Sequence, residues 1–514
     1  MLSFFFGLAA MVAGHPFSSN GTLHTLGYGH EHHENTRISL INATPYQWHK
    51  TYNHSYQLSQ WEAQWPQYIQ PGQVVTVAVK GCGYCFVPAD TAGQVTYRIE
   101  DTEKPMSLQV QHRAGRVHWG YVQFLENMET LNNGIHSELN LGTSRSLSSV
   151  AFVLAGTEGD FISNDGPTDW MQHQLEEIGH LPLRNIAMPR SHNSGQWKSE
   201  VALGLARAGN TQTQTLTLLD QLGTGGIRVL DLRLLLKHGR FHAHHGAVFG
   251  RQFNGMLGAS LKEMIDMQNQ FMEQHPGELF IWDIHEGDGR NGDRKYEPFD
   301  DADRKLLYDE LLRLNHRRAL PKNEDLTLRP LNFFIDKDLG RRGRSCVVVR
   351  VPVSWAARAH FPGSTEGFVS GADFPLRSRW SDTNHVEKLV EDQLARMKEA
   401  RPQRDAEVYN MEWVITQQGV QTVTASDIET IIELSGQAWR TMHHELWQSL
   451  THLTYPNWIT MDDIHGSSHK ALVMAINKCL VARRCGRLGG KVADMVKHHA
   501  ASYKNSTVGA VGMS

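Results

Sequence analysis

Between Leu183 and Gly246 the chain carries two strand-like runs, each followed by histidine. The first, Asn185 to Gly195, delivers Arg190, Ser191, His192 and Asn193 from a short apolar run bounded by Pro and Gly. The second, Gly226 to Leu236, is apolar except for Arg228, Asp231 and Arg233. Asp231 and Arg233 lie two apart and share one face of a strand. A charged pair on such a face is costly unless it is paired or used. His242, His244, His245 and Gly246 follow directly. Histidines titrate near neutrality and can take or give a proton, and a guanidinium can fork onto a phosphate. This set suits phosphoryl transfer.

The elements that hold these residues are read from periodicity. Runs at 185–190, 227–234, 279–285, 345–351, 407–414 and 457–462 are strand candidates. Helical spacing recurs at Trp170 to Ile178, Thr213 to Leu222 and Leu261 to Glu273. Strands alternating with helices imply parallel βα units, with a site at the strand C-termini. Residues 36–158 instead show short alternating runs (37–42, 74–79, 94–99 and 116–124) between Gly, Pro and Asn turns. They are expected to form a small all-β sandwich acting as an accessory module, with exposed aromatics that could meet a glycan or a membrane surface.

The ordered set of strand–His-Asn-Ser, Gly-x-Arg-x-x-Asp-x-Arg and His-Gly resembles the X-type catalytic barrel of phosphatidylinositol-specific phospholipases C. It is similar most of all to secreted fungal phospholipase-C-like phosphodiesterases, over roughly residues 168–495. The resemblance implies an α/β fold, a distorted TIM-type (β/α) barrel after the sandwich. It implies His192 as general base and His245 as general acid. Arg233 stands where the calcium-dependent enzymes place a carboxylate and the calcium-independent bacterial ones an arginine. The resemblance therefore implies metal-independent chemistry, with no cofactor, and with Asp231 orienting Arg233. Asp462, ending the run Asn457 to Asp462, is expected to orient His192, while Asp463 faces the other way. Asn193, Asp283, His285 and Arg350 are expected to contact substrate, a phosphoinositide or related inositol-containing lipid.

Lys and Arg number 50 against 54 Asp and Glu in 514 residues, a balance that argues against a polyanion binder such as a nucleic-acid protein. No run after residue 14 approaches the ~20 apolar residues of a membrane span. Residues 1–14 read as a secretory signal, 15–35 as a His-rich linker or pro-segment, and 496–514 as a tail without an anchor signal. Sequons at Asn20, Asn42, Asn53 and Asn505 and the close pairs Cys82/Cys85 and Cys479/Cys485 fit a secreted, disulfide-bonded glycoprotein. Cys346 is expected as a buried strand thiol. Two other readings compete: a non-catalytic surface-binding protein, and a glycerophosphodiesterase-type barrel needing a carboxylate metal cluster where Arg233 stands.

Overall fold

The computed structural model describes residues 36–81, 90–115, 119–142, 149–249, 252–285, 287, 289–337, 343–357, 366–418 and 430–486. The expected signal segment, the His-rich linker, Cys82, Cys85, Asn20, Asn505 and the tail lie outside them.

Eight parallel strands form the sheet that carries the site. They are β1 (Met188–Ser191), β2 (Val229–Leu232), β3 (Leu279–Ile284), β4 (Cys346–Val351), β5 (Phe368–Ser370), β6 (Leu376–Ser378), β7 (Val408–Glu412) and β8 (Trp458–Met461). Each pairs with its sequence neighbour, and β8 returns to pair with β1. The sheet therefore wraps round as expected of a (β/α) barrel. Between β5 and β6 no pairing joins the ends, so the barrel is open at one seam. Both strands at the seam are three residues long, too short to show the periodicity that marked the other six.

Local sequence explains the flanking helices. Helix Leu261–Gln274 starts where the Ser260 hydroxyl accepts the Glu263 amide, and it buries Met264, Ile265, Gln268, Phe271 and Met272. Helix Ile431–Thr441 begins with a capping box between Thr430 and Glu433. The helix expected from Thr213 begins only at Leu218, with Thr217 as its cap. Thr213 and Gln214 are spent instead on main-chain carbonyls at the end of β1. The strand expected over 227–234 is also divided. β2 ends at Leu232, and Leu234–Lys237 joins a separate sheet with the hairpin strands Arg240–Phe249 and Gln252–Ser260. Arg233 is the hinge between the two sheets.

Before the barrel lie two further sheets. One holds Thr36–Ala43, Val74–Gly81 and Val150–Ala155; the other holds Trp48–Tyr56, Ala92–Ile99, Met106–Arg113 and Gly120–Glu126, all antiparallel. Their facing residues, among them Ile38, Leu40, Val95, Leu108, Val122 and Phe152, share one apolar core. The opposite face of the first sheet is buried too, since Ile41, Ala43 and Val153 belong to the barrel's core. Trp447 donates to the Gly72 carbonyl at 2.9 Å and Thr76 meets His444 Nδ1 at 3.1 Å, fastening sheet to barrel.

Asn42 is fully buried, its amide donating to the Tyr46 and Ile69 carbonyls, so this sequon is no glycosylation acceptor in the folded chain. The Asn53 amide donates to the Glu62 carbonyl. Cys479 and Cys485 are disulfide-bonded, and burial pushes the Cys346 thiol up to about 12. Among the described residues no helix is long and apolar enough to cross a membrane.

Candidate active site

A cavity of about 1020 Å³ opens at the C-terminal ends of the barrel strands. His192, at the end of β1, sits against its wall with Nδ1 2.7 Å from Asp462 Oδ1. Its Nε2 lies 3.0 Å from Arg233 Nη2. A guanidinium only donates, so Nε2 must be the acceptor and the ring proton resides on Nδ1, donated to Asp462. Nε2 is thus unprotonated and holds its lone pair toward Arg233 at the cavity wall, the state a general base requires once Arg233 turns to a ligand. Burial raises the Asp462 carboxyl above its usual range, against the pull of His192 and Arg233.

The Asp462 turn is held from several sides. Trp439 Nε1 donates to the Asp462 carbonyl at 2.9 Å, and the Asp463 amide donates to the Thr213 carbonyl at 2.8 Å. Asp463 has φ 50, which turns its carboxylate away to accept the Thr215 hydroxyl at 2.6 Å. The Gln214 amide donates to the His192 and Met461 carbonyls, joining β1 to β8 at the site.

Beneath His192, Asp231 is fully buried. Its Oδ2 accepts the Asn193 amide at 3.0 Å and Arg233 Nη2 at 3.3 Å, and Arg190 Nη2 lies 3.3 Å from Oδ1. Burial alone would raise this carboxyl; Arg233 and Arg190, with His285 and His192, outweigh it and hold it well below the usual carboxylate range. Asp231 is therefore an anion that fixes two arginines at the cavity floor. Asp283 does the same one strand away, accepting from Arg190 at 3.0 Å and from Arg350 at 2.8 Å.

His245 enters from the hairpin strand Arg240–Phe249, not from a barrel strand. Its ring stands 6.2 Å from that of His192, at 82°. The cavity between and around them is bounded by both histidines, Arg233, Arg350, His285 and Asp462. Two imidazoles with a guanidinium beside them can pass a proton in and out on either side of a phosphate.

Of the residues expected to contact substrate, Asp283, His285 and Arg350 line the cavity. Asn193 does not. It is wholly buried in the left-handed region (φ 44), a turn asparagine tolerates, and its amide donates to the His244 carbonyl at 2.9 Å. It ties β1 to the hairpin that carries His245. Sequence reading missed Arg190, although it stands two residues before His192 on the same face, the spacing that singled out Asp231 and Arg233. It also missed Glu412 at the end of β7 and the apolar rim of Leu205, Val353 and Trp380, which are 66%, 53% and 47% exposed. Leu205 and Trp380 lie in loops, and Val353 opens a one-turn helix, so they leave no periodic trace.

No known family profile matches the chain. A stretch of 136 residues is 29% identical to the human PI-PLC X domain-containing protein 2, covering 23% of this chain and 43% of that protein. The mouse protein of the same name is 27% identical over 136 residues and 38% of its length. Over that stretch the chain is similar to PI-PLC X-domain proteins. It spans less than half the length of these curated relatives. Among solved structures, a mutant of the phosphatidylinositol-specific phospholipase C from Staphylococcus aureus aligns with a TM-score of 0.41 at 14% identity, over 60% of this chain and 96% of that one. The Listeria monocytogenes phosphatidylinositol-specific phospholipase C gives 0.39 at 14% identity, over 60% and 98%. The paired histidines, the arginines and Asp462 lie at the barrel mouth.

Proposed function

We propose that the chain is a phosphodiesterase of the phosphatidylinositol phospholipase C type, acting on phosphatidylinositol or a related inositol-phosphate glycolipid. One observation carries the reading: His192, its Nδ1 proton held by Asp462, faces His245 across a cavity whose wall includes Arg233. His192 Nε2 takes the proton of the ring hydroxyl next to the phosphodiester. That oxygen attacks phosphorus, and the bond to the glycerol oxygen breaks as His245 protonates it. The products are a cyclic inositol phosphodiester and diacylglycerol. Arg233 turns its Nη2 from His192 to a phosphate oxygen when substrate enters, supplying the fixed positive charge that a metal would otherwise bring. The cavity's charged floor and apolar rim fit an amphiphile with a phosphorylated head.

In this reading the two N-terminal sheets, which share one core, are an accessory β-sandwich. Secretion belongs to the same proposal, and the Cys479–Cys485 disulfide fits an oxidising compartment.

Phosphorus NMR of the protein with phosphatidylinositol vesicles, with and without EDTA, tests it. A cyclic phosphodiester resonance should grow in both tubes and vanish in His192→Ala and in His245→Ala, since each general acid or base contributes about 10²–10⁴-fold. Growth only without EDTA overturns the metal-independent step. No product in either tube moves the protein to the class of surface-binding proteins that have a barrel without turnover.

A further inference from the structure

The outer face of the antiparallel N-terminal sheet takes no part in the site. Val95, Tyr97, Leu108, Val110, Val122 and Phe124 point into the sandwiched core, so the residues between them point away. In register these form two rows across the strands. Tyr52, Thr96, Gln109, Gln123 and Glu138 make one, and His54, Gln94, Gln111, Tyr121 and Asn140 the other. The amides are laced together: Gln109 donates to the Thr96 hydroxyl at 3.0 Å, and Gln111 donates to Gln109 at 2.6 Å and Gln123 at 3.2 Å. The charges nearby close on one another, Arg98 and His49 with Glu100, and Arg113 with Glu138. Thr96, Gln111 and Tyr121 are buried within these rows, Gln94, Gln109 and Gln123 are half-buried, and what reaches the surface is amide and tyrosine ring.

The rings lie along one strand. His49, Tyr52, His54 and Tyr56 succeed each other on the outward side of Trp48–Tyr56, and Tyr68 stacks on His49 at 4.9 Å and 20°. Tyr52, Tyr56 and Tyr68 are 46%, 56% and 46% exposed. The Tyr52 hydroxyl accepts from Gln94 on the next strand at 3.3 Å, which ties the half-exposed ring to the sheet. Tyr52 and Tyr56 stand about 13 Å apart along the strand. Exposed aromatic groups in such an array mark a binding surface.

We infer that this face binds a neutral polysaccharide, its sugar rings stacked on the exposed Tyr52–Tyr56 strip and its hydroxyls bonded to the half-buried amides of Gln94 and Gln123. An amide both donates and accepts, as a sugar hydroxyl does. A polyanion would need unpaired basic residues, and a bilayer would need aliphatic groups at the surface; among the described residues, Arg98, His49 and Arg113 on this face are paired with Glu100 and Glu138, and its exposed large side chains are tyrosines.

Native affinity electrophoresis of the full chain tests the inference, in gels containing soluble β-glucan, galactomannan, α-mannan or polygalacturonate, with flotation on phosphatidylcholine vesicles alongside. At least one neutral gel should retard the protein. Tyr52→Ala/Tyr56→Ala should weaken that retardation by about 10-fold or more, because two stacking faces are lost. Tyr52→Phe/Tyr56→Phe should keep it, and both variants should retain the parent melting temperature. No retardation in any neutral gel overturns the inference, as does retardation by polygalacturonate alone. Flotation that the alanine variant loses, without a glycan effect, assigns the face to a membrane instead.

Discussion

Strand β2 has an arginine at each end, and the two live in opposite worlds. Arg228, just before the strand, is fully buried: Nε donates to Glu278 at 2.7 Å, and Nη1 to the carbonyls of Leu222 and Ile227. Trp170, Phe271 and Phe280 seal its guanidinium. Arg233, just after the strand, has a side chain 20% exposed on a 1020 Å³ cavity. Its Nη2 is shared between His192 and Asp231, a geometry that a phosphate oxygen can take over. The pattern Gly-x-Arg-x-x-Asp-x-Arg contains both, and charge alone does not tell them apart. The difference is whether the fold has already used the donors. An arginine sealed by rings and carbonyls is architecture; one at a cavity with a movable partner is available to a ligand.

Breaking the buried pair should give the largest change in stability. Arg228→Ala leaves Glu278 charged in an apolar site and should cost about 3–5 kcal/mol in urea unfolding. Arg228→Met with Glu278→Gln should recover most of that loss, because replacing a whole buried pair is far cheaper than orphaning one half. Both variants, where folded, should keep the parent turnover per active molecule. A turnover defect larger than the loss of folded protein would erase the distinction between the two arginines.

The converse variant acts on chemistry. Arg233→Ala should lower kcat/KM on phosphatidylinositol by about 10²–10³-fold, the usual cost of one preorganised donor to a developing charge. Its unfolding free energy should fall by less than that of Arg228→Ala, because Asp231 keeps Arg190 at 3.3 Å and water can replace the partly exposed guanidinium. A melting loss matching that of Arg228→Ala would make Arg233 architectural as well.

Acid should separate the two ends of the barrel. Behind Asp462, Trp439 packs against His443, His465 and His469. Burial holds His443 and His469 neutral, down at about 3; the groups facing them are His465, each other, and the main chain at Ser468 and Ile459. An unfolded histidine protonates near 6.5, so the unfolded state gains protons first and stability is lost as pH falls below that value. Going from pH 7.5 to 5.5 should cost about 1.4 kcal/mol per residue. Urea unfolding at both values, in the parent and in His443→Gln/His469→Gln, measures it. An equally steep loss in the double variant would place the protons elsewhere.

How far this was legible follows from the same distinction. Six barrel strands declared themselves by apolar runs, and Asp231 and Arg233 by their spacing on one strand face, while the roles of His192 and Asp462 rested on the family resemblance. The two seam strands are too short to show a period, and the hairpin geometry that swings His245 over the mouth depends on pairing with Gln252–Ser260, a long-range event. Asn193 reads as a polar residue beside a histidine, yet its positive φ and burial make it a turn residue. Asn42 reads as a sequon, yet it is core. In each case tertiary packing decided which polar groups remained available, and local sequence carries no record of that.

The smallest expected effect probes how firmly the exposed end is built. Trp439→Phe keeps an aromatic ring among the three histidines and removes the N–H that holds the Asp462 carbonyl at 2.9 Å, together with part of the indole's volume. The loss of one buried hydrogen bond should cost about 1 kcal/mol in unfolding, and the lost ring volume adds to it. If Trp439 positions the Asp462–His192 pair, the variant should also lower kcat while leaving KM unchanged, and should shift the acid limb of the kcat profile. A purely structural tryptophan would move the melting temperature and leave that limb where it was. The buried end offers the control: Trp170→Phe removes the N–H that holds the Gly226 carbonyl at 2.9 Å beside Arg228. It should show the stability loss without any change in the pH profile, because no proton moves at that end of the barrel.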